Sequence, residues 1–408
     1  ESPGAAHQRR DDLAQLARIY DENLQDLETA IATWRELRQD YGEDDAAVSA
    51  LTVLLSRAER WDELADILRE AAQSEVQHFT ELQTNLGDAY RTRLGKPELA
   101  VLRYRSVLQV DPAHVAARAG QTALLSVPEC RAIAVASLSE AYRQTGEWQM
   151  ELSLLETRLL TTESEDKRAE LLLAAAREWE NLGQDKQHAL ECYRRAFTLA
   201  PNDRETEREI RRLAAALDRW DVVIAAYRET IATFTQPTPR MAELRYEEAQ
   251  ILEMRLGDKN GALEAYAQAA ATVPQREQFA SAAARVAAEL QQWSRAAREL
   301  TLSAAAKGGM KDVPFEAIDR QAEAANAMQS YCEGLDACLS DTQLQLSATL
   351  RRSLLRYLAS LQRDKRNDLR AAESAYERAL LLDERDHDTL QALCATQRSL
   401  GSAGLLPT

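Results

Sequence analysis

The histidines and cysteines are the residues of this sequence that could bind a metal ion or act as nucleophiles. The five histidines are scattered and form no HExxH motif. His188 and Cys192 lie one helical turn apart, but two ligands do not complete a zinc site and no second pair is near them in the sequence. Cys332 and Cys338 have neither a zinc nor a dithiol spacing. We therefore predict no catalytic residue and no bound metal, and we interpret the five cysteines as reduced packing residues.

Motifs for calcium, nucleotides and hydrolysis are also incomplete. Asp383, Asp386 and Asp388 lie close together but lack the glycine and the spacing of a calcium-binding loop. Gly95 and Lys96 have no upstream glycine at the spacing of a phosphate-binding loop, and the chain has no GxSxG motif. The sequence therefore predicts a protein that is not an enzyme and that needs no cofactor.

The charge of the chain argues against nucleic acid as a partner. A net charge of −16 repels phosphate backbones over most of the surface. The densest basic run shows no pattern of interleaved aromatic residues for stacking on bases. This run contains Arg351, Arg352, Arg356, Arg363, Lys365, Arg366 and Arg370. We interpret it as a solvated helix face, with contact to an acidic partner or to phosphates as the alternative, and we expect a basic partner to be preferred overall.

The elements that carry these residues are predicted to be helices. Hydrophobic residues make up 45% of the 408 residues but aromatic residues only 6%, because Ala and Leu supply most of the apolar content. Leu13, Leu16, Ala17 and Tyr20 illustrate the spacing of three and four that places apolar side chains on one helix face. Runs of β-branched residues are scarce, and no apolar run approaches the ~20 residues that span a bilayer. We therefore predict an all-α protein without membrane insertion.

A pattern of small, aromatic and helix-stopping residues occurs four times. A small residue is needed where two helix backbones nearly touch, a large ring where the next hairpin docks, and Pro or Gly where a helix must stop. The small residues of the first helix are Ala17, Gly87, Ala176 and Ala249, followed three residues later by Tyr20, Tyr90, Trp179 and Leu252. The second helix has Ala30, Ala100, Ala189 and Ala262, then Trp34, Tyr104, Tyr193 and Tyr266, and stops at Gly42, Pro112, Pro201 and Pro274. Trp61, Trp220 and Trp293 each follow 27 residues after the ring of the second helix.

This pattern resembles the tetratricopeptide repeat family, whose period is 34 residues. The resemblance covers about 320 of the 408 residues and implies a right-handed α-solenoid of stacked antiparallel helix hairpins, in which clear and degenerate repeats alternate. The turn between the first two helices is one residue longer than in the family, and the degenerate repeats lack most of the pattern. A related helical-repeat family is the alternative.

The irregular places in the pattern divide the chain. Trp148 follows Tyr104 by 44 residues rather than 27, so an extra helical segment is expected at about 126–141, where Pro128 must start or break a helix. Gly308 and Gly309 interrupt the array. The expected parts are a flexible tail (1–10), a solenoid (11–306), an irregular helical insertion or hinge (307–347), and a further hairpin with an incomplete end (348–408). The incomplete end indicates a fragment of a longer array or a separate cap, and the alternative is a disordered tail from Gly401.

The family resemblance also implies a concave face, lined by the first helices, that binds an extended peptide or a helix of another protein. The expected partner-binding residues are Asp11, Arg18, Asp21, Glu81, Asp88, Arg91, Glu170, Arg177, Glu180, Glu243, Tyr246, Gln250 and Glu253. Asp11, Glu81, Glu170 and Glu243 form one acidic row, which suits a basic ligand. The alternative is that carboxylates simply favour the first turn of a helix. The Lys–Asn clamp with which some members bind a chaperone tail is absent, since Ala14, Arg18, Thr84 and Asp88 occupy its positions.

The function predicted from these observations is a protein-interaction scaffold. The alternatives are a regulatory or sensor module of a larger multidomain protein and an envelope-assembly scaffold. Reduced cysteines favour the cytoplasm, but the sequence starts at Glu1 rather than Met, so a periplasmic location follows if an upstream signal was removed. The sequence predicts no oligomeric state.

Overall fold

The computed structural model describes residues 3–42, 45–74 and 78–401, which form helices and contain no strand. The prediction of an all-α fold is therefore confirmed. The chain divides into two compact units, unit 1 (1–189) and unit 2 (190–408). Unit 1 contains α1 (Pro3–Glu22), α2 (Leu27–Tyr41), α3 (Asp45–Arg57), α4 (Trp61–Ser74), α5 (Phe79–Thr92), α6 (Pro97–Val110), α7 (Val115–Leu124), α8 (Pro128–Thr145), α9 (Trp148–Ser153), α10 (Leu155–Thr161) and α11 (Glu165–Asn181).

The boundary between the units lies within α12 (Lys186–Leu199). The other helices of unit 2 are α13 (Arg204–Leu217), α14 (Trp220–Thr233), α15 (Pro239–Met254), α16 (Lys259–Thr272), α17 (Glu277–Glu289), α18 (Trp293–Lys307), α19 (Phe315–Ala324), α20 (Met328–Ser340), α21 (Ala348–Asp364), α22 (Leu369–Leu380) and α23 (His387–Ser399).

Five helix pairs are joined by the same turn of four residues, which we name the first turn type. It joins α1 to α2, α5 to α6, α11 to α12, α15 to α16, and α21 to α22. Its third residue has a positive φ, at Gln25, Gly95, Gln184, Gly257 and Asn367. The N–H of its fourth residue donates at 2.9 Å to a carbonyl six residues earlier, and the acceptors are Tyr20, Tyr90, Trp179, Leu252 and Gln362. The turn is thus one conformation repeated along the chain.

Five other pairs are joined by a shorter turn, which we name the second turn type. It joins α3 to α4, α8 to α9, α13 to α14, α17 to α18, and α19 to α20. Its residue of positive φ is Glu59, Gly146, Asp218, Gln291 or Asn326. The following helix starts two residues later, at Trp61, Trp148, Trp220, Trp293 or Met328. The two turn types distinguish the clear hairpins from the degenerate ones, and the prediction of a repeated helical hairpin is confirmed.

The turn types place the extra helix of unit 1 upstream of its predicted position. Helix α8 precedes the second turn type and so corresponds to α3, which leaves α7 without a counterpart. Pro128 occupies the first turn of α8, where its missing N–H costs no hydrogen bond. Helix α7 packs on α6 through Gly120, because a Cβ there would lie 2.4 Å from the ring of Tyr104.

The segment 307–347 contains a regular hairpin rather than irregular helices. Helix α18 ends at Gly308, which has φ 77°, and α19 and α20 then form a hairpin of the second turn type. Helix α20 lies close to α18, since a Cβ on Gly334 would be 2.5 Å from the Cα of Ser294. Two degenerate hairpins therefore follow one another here. The hinge stays a prediction.

The last clear hairpin keeps the turn of the other four but differs in the residue at the aromatic position. Its turn, Lys365–Asp368, has four residues like the others. Ala359 occupies the small position and is fully buried, and Gln362 takes the place of the aromatic residue. Helix α23 packs on this hairpin through Leu393. The end of the expected tail, residues 402–408, lies outside the described residues.

The amino terminus is helical where a tail was expected. Helix α1 begins at Pro3, so residues 3–10 continue the first helix, while residues 1–2 lie outside the described part. Proline is suited to a helix start, and the Ala, Gln and Arg residues that follow it favour helix. Most of the expected core positions are buried: Ala17, Ala176 and Ala249 are fully covered, and Tyr104 and Tyr266 are at most 1% exposed, whereas Tyr20 and Trp179 are half-buried.

Candidate interaction surfaces

The expected partner-binding residues of the first two clear hairpins differ in whether they contact other residues of the fold. Asp11, Arg18 and Glu81 are exposed. Asp21 lies 2.5 Å from the guanidinium of Arg57 on α3, so it forms an ion pair between hairpins.

In the second clear hairpin, Tyr104 determines what Asp88 and Arg91 do. The Tyr104 hydroxyl donates to Asp88 Oδ1 at 2.7 Å and accepts from Arg91 Nε at 3.2 Å. Burial, together with Asp88, raises the pKa of this phenol above its ordinary value. Asp88 and Arg91 therefore hold the ring that α5, α6 and α7 share, and Gly87 makes room for it, since a Cβ there would lie 2.7 Å from the ring.

In unit 2 the expected residues have internal partners. Glu243 lies 3.0 Å from Arg276 and also pairs with Arg204. Glu253 accepts hydrogen bonds from Tyr266 at 3.0 Å and from Arg285 at 2.6 Å. Tyr246 packs between Tyr266 and Phe279, with ring centroids 5.2 and 5.0 Å away, and Gln250 is half-buried. At Glu243 and Glu253 the acidic pattern reflects ion pairs between hairpins, which sequence spacing could not distinguish from a binding face.

The remaining expected residues lie on α11, where Glu170 and Arg177 are exposed and Glu180 is half-buried. Glu170 lies in a groove of about 530 Å³ between α8 and α11. The groove is lined by Ala132, Val135, Ala136, Ser139, Glu140 and Arg143 of α8, Arg158, Thr161 and Thr162 at the end of α10, and Lys167, Glu170 and Leu171 of α11. Small apolar side chains on α8 thus face charged side chains on α11.

A buried carboxylate anchors the floor of this groove. Glu151 Oε1 lies 2.8 Å from Arg143 Nη2 and 3.1 Å from both Arg158 Nη1 and the Ser139 hydroxyl. The Glu151 side chain is 7% exposed, whereas that of Arg143 is 54% exposed. Burial lowers the pKa of Arg158 and raises that of the neighbouring Glu178. These contacts hold both guanidinium groups, and Arg143 Nη1 also lies 2.9 Å from Glu140 Oε2.

A second groove, of about 320 Å³, lies on the other side of α8, against α6. Ala132, Ala136 and Glu140 line both grooves, so the exposed face of α8 is a narrow ridge of small side chains between two depressions. A helical segment was expected near this position, but none of the expected binding residues lies on it. The sequence does contain Ala132 and Ala136 one helical turn apart. This spacing indicates a binding ridge only once the structure shows that both alanines are exposed.

The basic run on α21 is largely neutralised by contacts within the fold. Arg352 pairs with Asp383, Arg356 lies 3.3 Å from Asp386, and Lys365 lies 2.8 Å from Glu323. The sequence predicts a solvated helix face for this run, whereas these contacts pair several of its cations with acidic residues of neighbouring elements. They also explain the cluster of aspartates at 383–388, which serves the arginines of α21.

The residues first considered for chemistry have structural partners. His188 Nδ1 donates a hydrogen bond to Asp185 Oδ2 at 2.7 Å, and the His188 ring stacks on Trp179, with ring centroids 4.6 Å apart. The five cysteines form no disulfide, and burial raises the pKa of Cys332 to about 11. Within residues 3–42, 45–74 and 78–401, no group of three or more His, Cys, Asp or Glu side chains could hold a metal ion, and no helix is long and apolar enough to cross a membrane.

The turns and buried positions define a class: an all-α helical repeat protein built from two kinds of helical hairpin. No protein-family model matches the chain, and no match was found among curated proteins. Solved structures that match include the TPR domain of P58(IPK), at 15% identity and a TM-score of 0.25, over 98% of this chain and 100% of that one. Another is the C-terminal part of a TPR repeat-containing protein from Cytophaga hutchinsonii, at 14% identity and a TM-score of 0.26, over 71% of this chain and 98% of that one.

A third is the APC/C hetero-tetramer Cut9-Hcn1, at 13% identity and a TM-score of 0.24, over 95% of this chain and 90% of that one. At these identities and TM-scores the matches carry no inference about partners. The assignment of the repeat rests on the turns and on the buried positions.

Proposed function

We propose that this chain is a protein-interaction scaffold without catalytic activity, and that unit 1 binds a helix of a partner protein across α8. The observation that carries the proposal is the ridge of Ala132 and Ala136 between two grooves. A helix laid on small side chains can approach closely and place its own side chains on both sides of the ridge.

The exposed carboxylate of Glu170 indicates that the partner helix carries a basic residue. This carboxylate is exposed at the groove wall and has no ion-pair partner among the described residues. A lysine or arginine of the partner would gain a charge-assisted hydrogen bond there, and the net charge of −16 would favour its approach. The partner-binding roles of the other exposed residues, among them Asp11, Glu81 and Arg177, stay proposals of the same kind.

The test compares two alanines that are both exposed on helices of unit 1. Ala136→Trp places a large ring on the ridge between the two grooves, whereas Ala174→Trp adds the same bulk on α11 outside the groove lining. A partner captured from native lysate and identified is purified, and its affinity for each variant is measured by calorimetry. We expect Ala136→Trp to abolish measurable binding and Ala174→Trp to leave it within about twofold. Equal affinity of the two variants would reject the groove as the binding site.

The charge of the partner is tested separately by Glu170→Lys, with Glu165→Lys of the same helix as its control. We expect the first substitution to weaken binding about tenfold, since it replaces attraction by repulsion, and the second to have little effect.

The alternatives, a regulatory module or an envelope scaffold, concern what the full-length gene encodes around this chain and whether it carries a signal sequence. We propose a cytoplasmic location because the cysteines form no disulfide.

A further inference from the structure

Three arginines from three successive hairpins of unit 2 surround one carboxylate. Arg204 opens α13, Arg240 is in the first turn of α15, and Arg276 caps α17. We name these three residues the arginine cluster. Arg276 Nη1 lies 3.0 Å from Glu243 Oε1, Arg240 Nη1 lies 3.7 Å from Oε2, and Arg204 pairs with the same Oε2. The positive ends of three helices add to the attraction that this position exerts on a negative group.

The cluster carries more positive than negative charge. Arg204 and Arg240 also contact Glu207, at 3.1 and 2.8 Å, and Arg211 lies 3.5 Å from Glu247. Four arginines therefore face three glutamates. One of these, Glu247, has a pKa raised to about 7 by burial and by Glu207, so it is only partly ionised at neutral pH. An excess of positive charge is unusual in a chain of net charge −16.

The exposed parts of the cluster are its cations. The side chains of Arg204 and Arg276 are 51% and 44% exposed, whereas that of Glu243 is 23% exposed. Arg240 is 9% exposed, and its Nη1 has no hydrogen-bond partner. Glu243 thus occupies the position of an anion, but it leaves Arg240 Nη1 without a hydrogen bond and the outer parts of Arg204 and Arg276 exposed.

We propose that the arginine cluster binds an acidic segment of a partner protein, whose carboxylates pair with Arg204 and Arg276 and displace Glu243. A planar guanidinium can bind a carboxylate through two parallel hydrogen bonds, which makes two half-exposed arginines a specific acceptor rather than a diffuse charge. The site is in unit 2 and selects acidic groups, so it is independent of the groove of unit 1. It also reverses the expectation that Glu243 belongs to a row for basic ligands.

The test uses the full chain and two probes, a hexaglutamate peptide and inorganic pyrophosphate, in calorimetric titrations at low salt. We expect hexaglutamate to bind, Arg276→Gln to weaken it about tenfold, and Glu243→Gln to tighten it, because the competing carboxylate is lost. The matched control is Arg208→Gln, which removes the same charge from α13 one turn after Arg204, at a side chain that is 73% exposed and pairs with Glu205. This control should change the affinity by less than about twofold.

Three results would overturn the proposal. Failure of hexaglutamate to bind the wild-type chain rejects the site. If Arg208→Gln and Arg276→Gln lower the affinity for hexaglutamate equally, the binding is general electrostatic attraction rather than a specific site. Binding of pyrophosphate but not of hexaglutamate rejects an acidic peptide in favour of a phosphate group. Circular dichroism checks the fold of each variant. If Arg276→Gln does not fold, unchanged hexaglutamate affinity in Glu243→Gln still rejects the proposal.

Discussion

Glu207 and Glu247 bring two carboxyl groups into a hydrogen bond between α13 and α15. The Tyr227 hydroxyl reaches both, at 3.0 and 3.1 Å. Burial and the adjacent Glu207 raise the pKa of Glu247 to about 7. For Glu207, burial alone would raise the pKa, but hydrogen bonds from Glu247 and Arg240 outweigh it and lower the pKa to about 2. The pair therefore shares one proton, which Glu247 holds.

The proton on Glu247 predicts how stability depends on pH. Because the folded pKa of Glu247 is above its ordinary value of 4.5, its contribution is fully present below pH 4.5 and is lost as the pH rises to about 7. Glu247→Gln imitates the protonated form. We expect this variant to flatten the decline in the free energy of unfolding between about pH 5 and 8, by on the order of 2 kcal/mol, in urea unfolding measured across that range. Glu170→Gln, at an exposed carboxyl group, is the control, and an unchanged slope in Glu247→Gln would contradict the shared proton.

At the scale of elements, the two turn types assign the helices to pairs more reliably than side-chain patterns do. In each turn, a residue of positive φ reverses the chain just before the next helix begins. A backbone N–H that follows this residue then donates to a carbonyl near the end of the preceding helix. Only Gly95 and Gly257 of the first turn type are glycines, and the other left-handed residues are Gln25, Gln184 and Asn367. Glycine alone therefore does not mark these turns in the sequence, and the register of the last clear hairpin becomes visible only in the structure.

That register predicts a stabilising substitution at Gln362. Its side chain is 7% exposed and its amide oxygen has no hydrogen-bond partner, although Leu252 fills the same position in another hairpin. Gln362→Leu removes a buried polar group without its partner and keeps the volume, so we expect a gain of about 1 kcal/mol in the free energy of unfolding. Thermal and urea unfolding measure it, with Gln15→Leu on the exposed face of α1 as the control. A loss of stability in Gln362→Leu would show that the amide has a role which the contacts do not explain.

At the scale of the whole molecule, each unit is built from hairpins that contact their sequence neighbours. Such arrays have stabilities that are sums of hairpin and interface terms, so damage to one hairpin stays local. Ion pairs between successive hairpins, such as Arg38 with Glu70 at 3.1 Å and Lys259 with Glu289 at 2.8 Å, belong to these interface terms. They account for much of the charged sequence pattern that resembles a ligand-binding row.

Local damage is measurable within unit 2. Tyr376 of α22 is 3% exposed, and its truncation in Tyr376→Ala should cost about 3 kcal/mol in the hairpin that contains it. We expect amide hydrogen exchange to accelerate in α21–α23 while α15–α18 keep their protection. Leu382→Ala, at a side chain that is 40% exposed, is the control and should leave both groups of helices protected. Uniform acceleration across unit 2 would show that the unit unfolds as one block.

The sequence by itself determined the all-helical fold, the hairpin repeat and its small and aromatic core positions. The fold, the repeat and its core positions depend on residue spacing along one or two helices. A buried alanine such as Ala176, or a ring such as that of Tyr266, lies in the corresponding place in each copy of the hairpin. Tertiary structure alone decided which exposed charges are free. Glu170 stands open at a groove, whereas Glu243 is held by the arginine cluster, although both occupy the same position of the repeat. The reason is that an ion pair between hairpins joins residues more than thirty positions apart, such as Glu243 and Arg276, and its geometry is set by how the hairpins stack.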